Sequence, residues 1–275
     1  MALKRTIIAI LFIPPIVLIA GKGEVYFLIM VEAVIAGGVW EFYRMTERSV
    51  ANPYKLIGTA VALLFPVLFY YRLHDYIYLL LTSVILGILV MELCRRGRKF
   101  YVYNVSVTLL GIFYLGWLGS HLVMIREIPA GIAGMEYRDG FNFITLLFIL
   151  TWCYDTGAYS VGSIAGRHRL FPRISPGKTL EGSVGGMVFA LAGVLIGRVY
   201  IFPFLEWWEA AGLALLVSVT GQTGDLVESM IKRDMNRKDS ASVIPGHGGV
   251  LDRFDSILFN APVVYYILVF FLLGD

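Results

Sequence analysis

Charge is what this sequence has least of: only 16% of its 275 residues are Asp, Glu, Lys or Arg, against about a quarter in soluble domains. Such a chain cannot cover a water-soluble fold with polar surface, and an apolar content of 58% excludes intrinsic disorder. Cysteine is nearly missing too. Cys94 and Cys153 lie in or beside apolar runs, so neither a disulfide framework nor a cysteine zinc site can be built from them. The apolar runs do not alternate with polar residues, which excludes an outer-membrane barrel. No low-complexity linker and no internal repeat of inverted topology is found.

What the chain has in quantity is uninterrupted apolar sequence, with a mean hydropathy of +0.74. A bilayer crossing takes about 20 apolar helical residues. Nine such stretches are read, at 6–20, 25–43, 55–71, 75–94, 103–125, 141–162, 181–202, 205–231 and 254–273. The expected fold is all-α, a polytopic membrane helical bundle of about nine transmembrane helices. Residues 1–140 form an N-terminal group of about five spans, and 141–275 a group of about four with two polar loops. Lys4-Arg5 before the first stretch imitates a signal peptide, but no small-x-small cleavage site follows and a retained helix is expected.

Placed in alternate compartments, 18 of the 23 Lys and Arg fall on one side, leaving Lys22, Arg72, Arg126, Arg138 and Arg198 on the other. The positive-inside rule puts the basic side, with loops 163–180 and 232–253, in the cytoplasm. Gly182/Gly186 and Gly193/Gly197 lie four apart and permit close helix contact, read here as packing within the chain.

The C-terminal half concentrates the polar residues. Gln222, Asp225, Ser229 and Lys232 make one helical stripe. Asp225 and Glu228 lie near hydrocarbon depth, where a carboxylate costs about 2.5–3.5 kcal/mol and must pair or face water; a pairing of either with Lys232 is the structural alternative. Lys232, Arg233, Arg237 and Lys238 offer charge-assisted donors to phosphate, though four basic residues beyond a span also serve topology. Pro245-Gly246-His247-Gly248-Gly249 brings backbone N–H groups and an imidazole together. Asp252 and Asp255 share a face at i, i+3; Asp252 could be a helix N-cap, or the two could hold a cation with Asp225 as hard oxygen ligands suited to Mg²⁺.

Loop 163–180 repeats the theme. Asp155 precedes it, and Ser175-Pro176 is expected to open the seventh span as N-cap and first helical residue. Gly177-Lys178-Thr179 imitates a P-loop, but Pro172 stands where that motif needs glycine and no strand is expected before it. His74, His121 and His168 have no acidic or histidine partners at ligand spacing and are read as interfacial or packing residues. Glu32, alone in the second span, is expected to pair within the bundle.

Ser229-x-x-Lys232-Arg233, Lys238-Asp239, Pro245-Gly246-His247-Gly248-Gly249 and Asp252-Arg253-x-Asp255 together resemble the signature of the phosphatidate cytidylyltransferase (CDP-diacylglycerol synthase) family. Asp155-x-Gly157-Ala158-Tyr159 and Ser175-Pro176-x-Lys178-Thr179-x-Glu181-Gly182 look like further family segments. The resemblance covers about 155–262. The chain departs from it in Leu180, where tryptophan is common, and Gly177, where a polar residue is frequent; neither carries chemistry.

The resemblance implies transfer of the cytidylyl group of CTP to phosphatidic acid, giving CDP-diacylglycerol and pyrophosphate in phospholipid biosynthesis. It implies Mg²⁺, with a second, monovalent cation such as K⁺, a multi-pass protein of the bacterial inner membrane with its site on the cytoplasmic side, and a homodimer. CTP, phosphatidic acid and membrane lipids are the expected partners, and no nucleic acid is. The implied roles are metal binding for Asp225 and Asp252, with Asp255 assisting; phosphate contacts for Lys178, Lys232, Arg233 and Lys238; triphosphate positioning for His247, Gly248 and Gly249; and orientation of the basic groups by Asp155, Glu181 and Asp239. Ser175, Ser229 and Arg253 complete the substrate-binding set. Two rivals remain: a CTP-dependent polyprenol or lipid kinase, and an ion-coupled transporter. The second lacks paired interrupted helices.

The charge asymmetry is tested by a single cysteine at Ser163 in a chain freed of Cys94 and Cys153. It should resist an impermeant thiol reagent in intact cells and react after permeabilisation; ready labelling from outside would reverse the orientation.

Overall fold

The computed structural model describes residues 13–46, 51–97, 99–237, 240 and 249–273. Among them the apolar runs become α1 (Ile13–Lys22), α2 (Glu24–Thr46), α3 (Lys55–Tyr70), α4 (Asp75–Cys94), α5 (Tyr101–Gly111), α6 (Leu118–Arg126), α7 (Asp139–Ala165), α8 (Leu180–Tyr200), α9 (Trp207–Asp234) and α10 (Leu251–Ile267). A π turn at Ile112–Trp117 joins α5 to α6 as one rod. Among the described residues, six helices are long and apolar enough to cross a membrane, at Glu24–Thr46, Asp75–Cys94, Tyr101–Arg126, Leu180–Tyr200, Trp207–Asp234 and Leu251–Leu272; α1 and α3 are shorter apolar helices. The chain is an all-α, multi-pass membrane protein.

One stretch departs from expectation. Ser175 does not cap a helix: Ser175–Thr179 is a strand, β2, paired antiparallel with β1 (Arg169–Phe171). The helix starts later because Thr179 is extended and its hydroxyl accepts the Gly182 N–H at 3.1 Å, satisfying a donor that the first turn leaves open.

Contacts divide the chain into two compact units. The first comprises Met1–Met124 and Met235–Arg253. Its apolar centre is Phe65, Phe69, Ile77, Val84, Ile88 and Ile112, with Trp117 edge-on to Phe65 at 5.4 Å. Tyr43 threads between Gly58 and Gly111, where any Cβ would strike its ring, and donates its hydroxyl to the Thr108 carbonyl at 2.7 Å. A polar knot fixes the turn before α3. Asn104 donates to buried Glu92 (2.6 Å), Arg95 donates to the Asn52 carbonyl (2.7 Å), and the Asn52 N–H donates to Asn104 Oδ1 (2.7 Å). Only 22% of the most apolar window of α4 is buried, and a helix apolar all round with that exposure faces lipid. Glu32 Oε1 is buried without a hydrogen bond among the described residues.

The second unit comprises Ile125–Asp234 and Phe254–Asp275. Here α7 and α8 lie backbone to backbone. A Cβ at Gly186 would meet the Tyr154 ring at 2.7 Å and its carbonyl at 2.9 Å, and one at Gly157 would meet Phe189 at 2.6 Å. The small residues therefore pack within the chain, as expected. Side-chain hydrogen bonds cross between helices: Tyr154 donates to Gln222 (2.7 Å), Asn260 donates to Thr151 (3.0 Å), and the Thr220 hydroxyl donates to Asn260 Oδ1 (2.6 Å).

Adding a methyl group at Gly186 should cost about 1–3 kcal/mol through overpacking. At Gly212, where nothing lies within 4 Å, alanine should gain up to about 1 kcal/mol from helix propensity. Detergent melting curves should order the proteins Gly212→Ala at or above wild type, with Gly186→Ala below; the reverse order would refute the packing.

Candidate active site

The site grows from a local coincidence on α9. Asp225 and Glu228 are one helical turn apart, and the residue before Asp225 is glycine. A Cβ at Gly224 would lie 2.7 Å from the Asp255 carbonyl and 3.0 Å from Phe259. Without a side chain there, α9 and α10 close up, and Asp255 arrives beside the α9 carboxylates. Asp225, Glu228 and Asp255 offer oxygens that all lie within 4.8 Å of one another.

Three carboxylates that close need cations. The first comes from the hairpin: Lys178 Nζ lies 2.7 Å from Asp225 Oδ2. The second comes from the next turn of α9, where Lys232 Nζ lies 2.5 Å from Glu228 Oε2. Asp225 therefore pairs with Lys178, and it is Glu228 that pairs with Lys232. Ser229 Oγ is 3.5 Å from Asp225 Oδ1. Asp155, on α7, is within electrostatic reach of both Asp225 and Lys178.

The hairpin that delivers Lys178 is tied at both ends. At its base Glu181 accepts the Arg167 N–H (2.9 Å) and the His168 N–H (3.1 Å), and its Oε1 lies 2.6 Å from His168 Nδ1. At its turn the Ile174 carbonyl accepts from Arg233 Nε at 3.1 Å. His168 thus has an acidic partner, contrary to expectation: thirteen residues separate it from Glu181, and only the β1–β2 pairing brings them together. His74 and His121 pack against Phe69, as expected. Ser175 begins β2 and is half-buried.

Asp252 belongs to the first unit. Its Oδ2 accepts the Gly249 N–H (2.7 Å) and the Ser240 N–H (3.1 Å) and lies 2.9 Å from Ser240 Oγ. It sits in the first turn of α10 and reaches back to the residues before it, like the acidic half of a capping box. It is therefore not the N-cap residue. Arg253 follows it and is exposed. Lys238, Asp239, His247 and Gly248 lie outside the described residues.

Sequence reasoning missed Glu228 as a member of the cluster, although its i, i+3 spacing from Asp225 was the available signal. It also missed Glu41, for which no local motif gives a signal. Three clustered carboxylates form a hard oxygen set of the kind that fits Mg²⁺. Lysines and a tethered basic hairpin beside them suit phosphate.

Comparisons with known proteins point the same way. Residues 3–271 match the family model for the cytidylyltransferase family. The chain is 31% identical over 252 residues to the phosphatidate cytidylyltransferase of Bacillus subtilis, covering 90% of this chain and 91% of that protein. It is 42% identical over 172 residues to the phosphatidate cytidylyltransferase of Staphylococcus saprophyticus, a stretch covering 62% of each. Against that of Staphylococcus aureus (strain COL) it is 44% identical over 169 residues, 60% of this chain and 65% of the relative.

The tether makes a prediction. Glu181→Gln halves the acceptor capacity at the hairpin base and removes its charge, so the hairpin should open more often. Limited trypsin digestion should cut after Arg167 or Arg169 about tenfold faster, as expected when charge-assisted hydrogen bonds are lost. An unchanged cleavage rate would show that Glu181 does not hold the hairpin.

Proposed function

The chain belongs to the cytidylyltransferase family, and we propose that it catalyses the reaction for which its relatives are named. It transfers the cytidylyl group of CTP to phosphatidic acid, giving CDP-diacylglycerol and pyrophosphate. The observation that carries this reading to particular residues is the carboxylate cluster with Lys178 and Lys232 against it.

The chemistry explains why such a site suffices. A phosphate monoester has a second pKa near ~6, so an oxygen of phosphatidate is already an anionic nucleophile at neutral pH. It attacks the α-phosphorus of CTP, the bond from that phosphorus to the β-bridging oxygen breaks, and the electron pair leaves with pyrophosphate. No strong general base is required. The obstacle is repulsion between two polyanions that must meet in line, and positioned cationic donors lower it.

Lys178 would neutralise and orient phosphate oxygens from the hairpin, with Lys232 and Arg233 at the end of α9 and Lys238 beyond it. Asp225, Glu228 and Asp255 would hold Mg²⁺, with Asp252 as the fourth acidic candidate. When bound, the ion supplies charge neutralisation at the phosphates; a monovalent cation beside it is part of the same proposal. Asp155 and Glu181 position the basic groups, directly at Lys178 and through the hairpin respectively. His247, Gly248 and Gly249 would position the triphosphate, with Asp239 supporting the adjacent basic residues. The site would face the cytoplasm, where CTP arrives from water while the acyl chains of phosphatidate stay in lipid. A homodimer in the bacterial inner membrane completes the proposal.

Purified enzyme given CTP and phosphatidate should form pyrophosphate and CDP-diacylglycerol in equal amounts and leave diacylglycerol unphosphorylated. Release of CDP with a phosphorylated lipid alcohol would favour a lipid kinase instead. Lys178→Ala should lower turnover by roughly 10²-fold or more, the cost of removing a donor aimed at developing charge. Asp225→Asn should be folded and nearly inactive, with a raised Mg²⁺ requirement. Wild-type Mg²⁺ dependence and substantial turnover in that variant would remove Asp225 from the metal set.

A further inference from the structure

α2 lies far from the polar motifs in sequence, but one of its faces is bonded to them. Gly37 and Glu41 are four residues apart and share that face, and both meet the start of α10. A Cβ at Gly37 would lie 3.2 Å from Val250 Cγ2, so the missing side chain lets the two segments approach.

One turn further on, Glu41 is only 3% exposed, and both its oxygens are used. Oε1 accepts the Val250 N–H at 2.9 Å, and Oε2 accepts the Leu251 N–H at 3.0 Å. These are N–H groups that the start of a helix leaves without intrahelical acceptors, at the end where the helix dipole favours negative charge. A buried carboxylate in a mostly apolar unit is tolerable on these terms.

The same seat holds Asp252. Ser240 Oγ lies 3.1 Å from Glu41 Oε2 and 2.9 Å from Asp252 Oδ2, bridging the two carboxylates. Gly249, whose N–H donates to Asp252, has no room for a side chain: a Cβ there would run into the Glu41 carboxylate and Ser240 Oγ. Glu41 therefore fixes the two residues that precede Asp252, and shares a hydroxyl with it.

We propose that Glu41 is a positioning residue for the reaction: from α2 it sets the register and direction of the first turn of α10 and so aims Asp252. The inference rests on the reading that Asp252 takes part in the chemistry. Valine or leucine at position 41 would leave two buried N–H groups unmet, and glutamine would turn an NH₂ group toward one of them.

The test uses full-length protein in detergent carrying Glu41→Gln, Asp252→Asn, or both. Amide hydrogen exchange is followed in the peptide covering 249–253 and in a control peptide within α3. For Glu41→Gln, exchange should quicken in the first peptide and stay unchanged in α3. Turnover per folded molecule should fall by about 10–100-fold, the scale expected when a reacting constellation is displaced by about 1 Å. KM for CTP should stay within about twofold, because a misaimed group costs transition-state stabilisation rather than uniform binding. The double variant should lose no more than about twofold beyond the worse single variant, since both changes act on one unit.

A Glu41→Gln enzyme with wild-type turnover beside an inactive Asp252→Asn enzyme would overturn the inference and leave the proposed reaction standing. So would losses that multiply in the double variant. Wild-type turnover in Asp252→Asn would instead overturn the role of Asp252 and, with it, the reason for aiming it. Should Glu41→Gln fold poorly, Ser240→Ala removes the bridging hydroxyl while leaving both backbone contacts. A turnover loss of a few-fold with unchanged melting is then expected, and wild-type turnover would count against the inference.

Discussion

Repulsion among Asp225, Glu228 and Asp255 is the term that the second unit has to offset. Their oxygens lie within 4.8 Å of one another, in a part of the chain built for apolar surroundings, where uncompensated charge is most costly. Compensation comes from two directions. Lys232 is supplied by the helix itself, one turn beyond Glu228. Lys178 is supplied by the hairpin between α7 and α8, which explains why a bundle of helices carries a short sheet at all: a helix beginning at Ser175 would have spaced Lys178 by helical rather than strand geometry. The hairpin must stay put to do this, and Glu181 and Arg233 hold it at base and turn.

Glycine has two distinct uses in the same unit. Along α7 and α8 it allows backbones to approach so that dispersion replaces the hydrophobic driving force lost in lipid. At Gly224 the same close approach gathers acidic groups, because it brings the Asp255 end of α10 against the Asp225 turn of α9. A side chain at Gly224 would act on the site by separating carboxylates, without contacting a substrate.

The bundle was legible because hydrophobic run length is a strong signal: the helices lie close to the stretches read from sequence. Three members of the cluster and its ion pairs, Asp225, Lys232 and Asp255, were legible as polar candidates because they belong to one segment of sequence. The failures share a cause. Lys178 as the partner of Asp225, His168 as the partner of Glu181, and Glu41 as the support for the start of α10 are contacts between residues far apart in sequence or joined only by strand pairing. Spacing rules for a single helix cannot see them. The misplaced helix start at Ser175 has a local cause: Ser175-Pro176 and Thr179 are both acceptable starts by side-chain type, and the tertiary hairpin selects the second.

The pairing of Lys178 with Asp225 also bears on how a polyanion can be received. The Lys178 ammonium group, 2.7 Å from the Asp225 carboxylate, stands beside an acceptor before a substrate arrives. A phosphate oxygen approaching it carries more negative charge than the carboxylate and can compete for the same three donors. Lysine suits this exchange better than arginine would, because a compact point charge on a flexible stem can turn between two acceptors, whereas a bidentate guanidinium fork would have to break two parallel hydrogen bonds at once. Arg233 shows the complementary use. Its Nε is committed to the Ile174 carbonyl, so it braces the hairpin. The two cations thus differ in what they hold: Lys178 is paired with a carboxylate, and Arg233 braces the hairpin that carries Lys178.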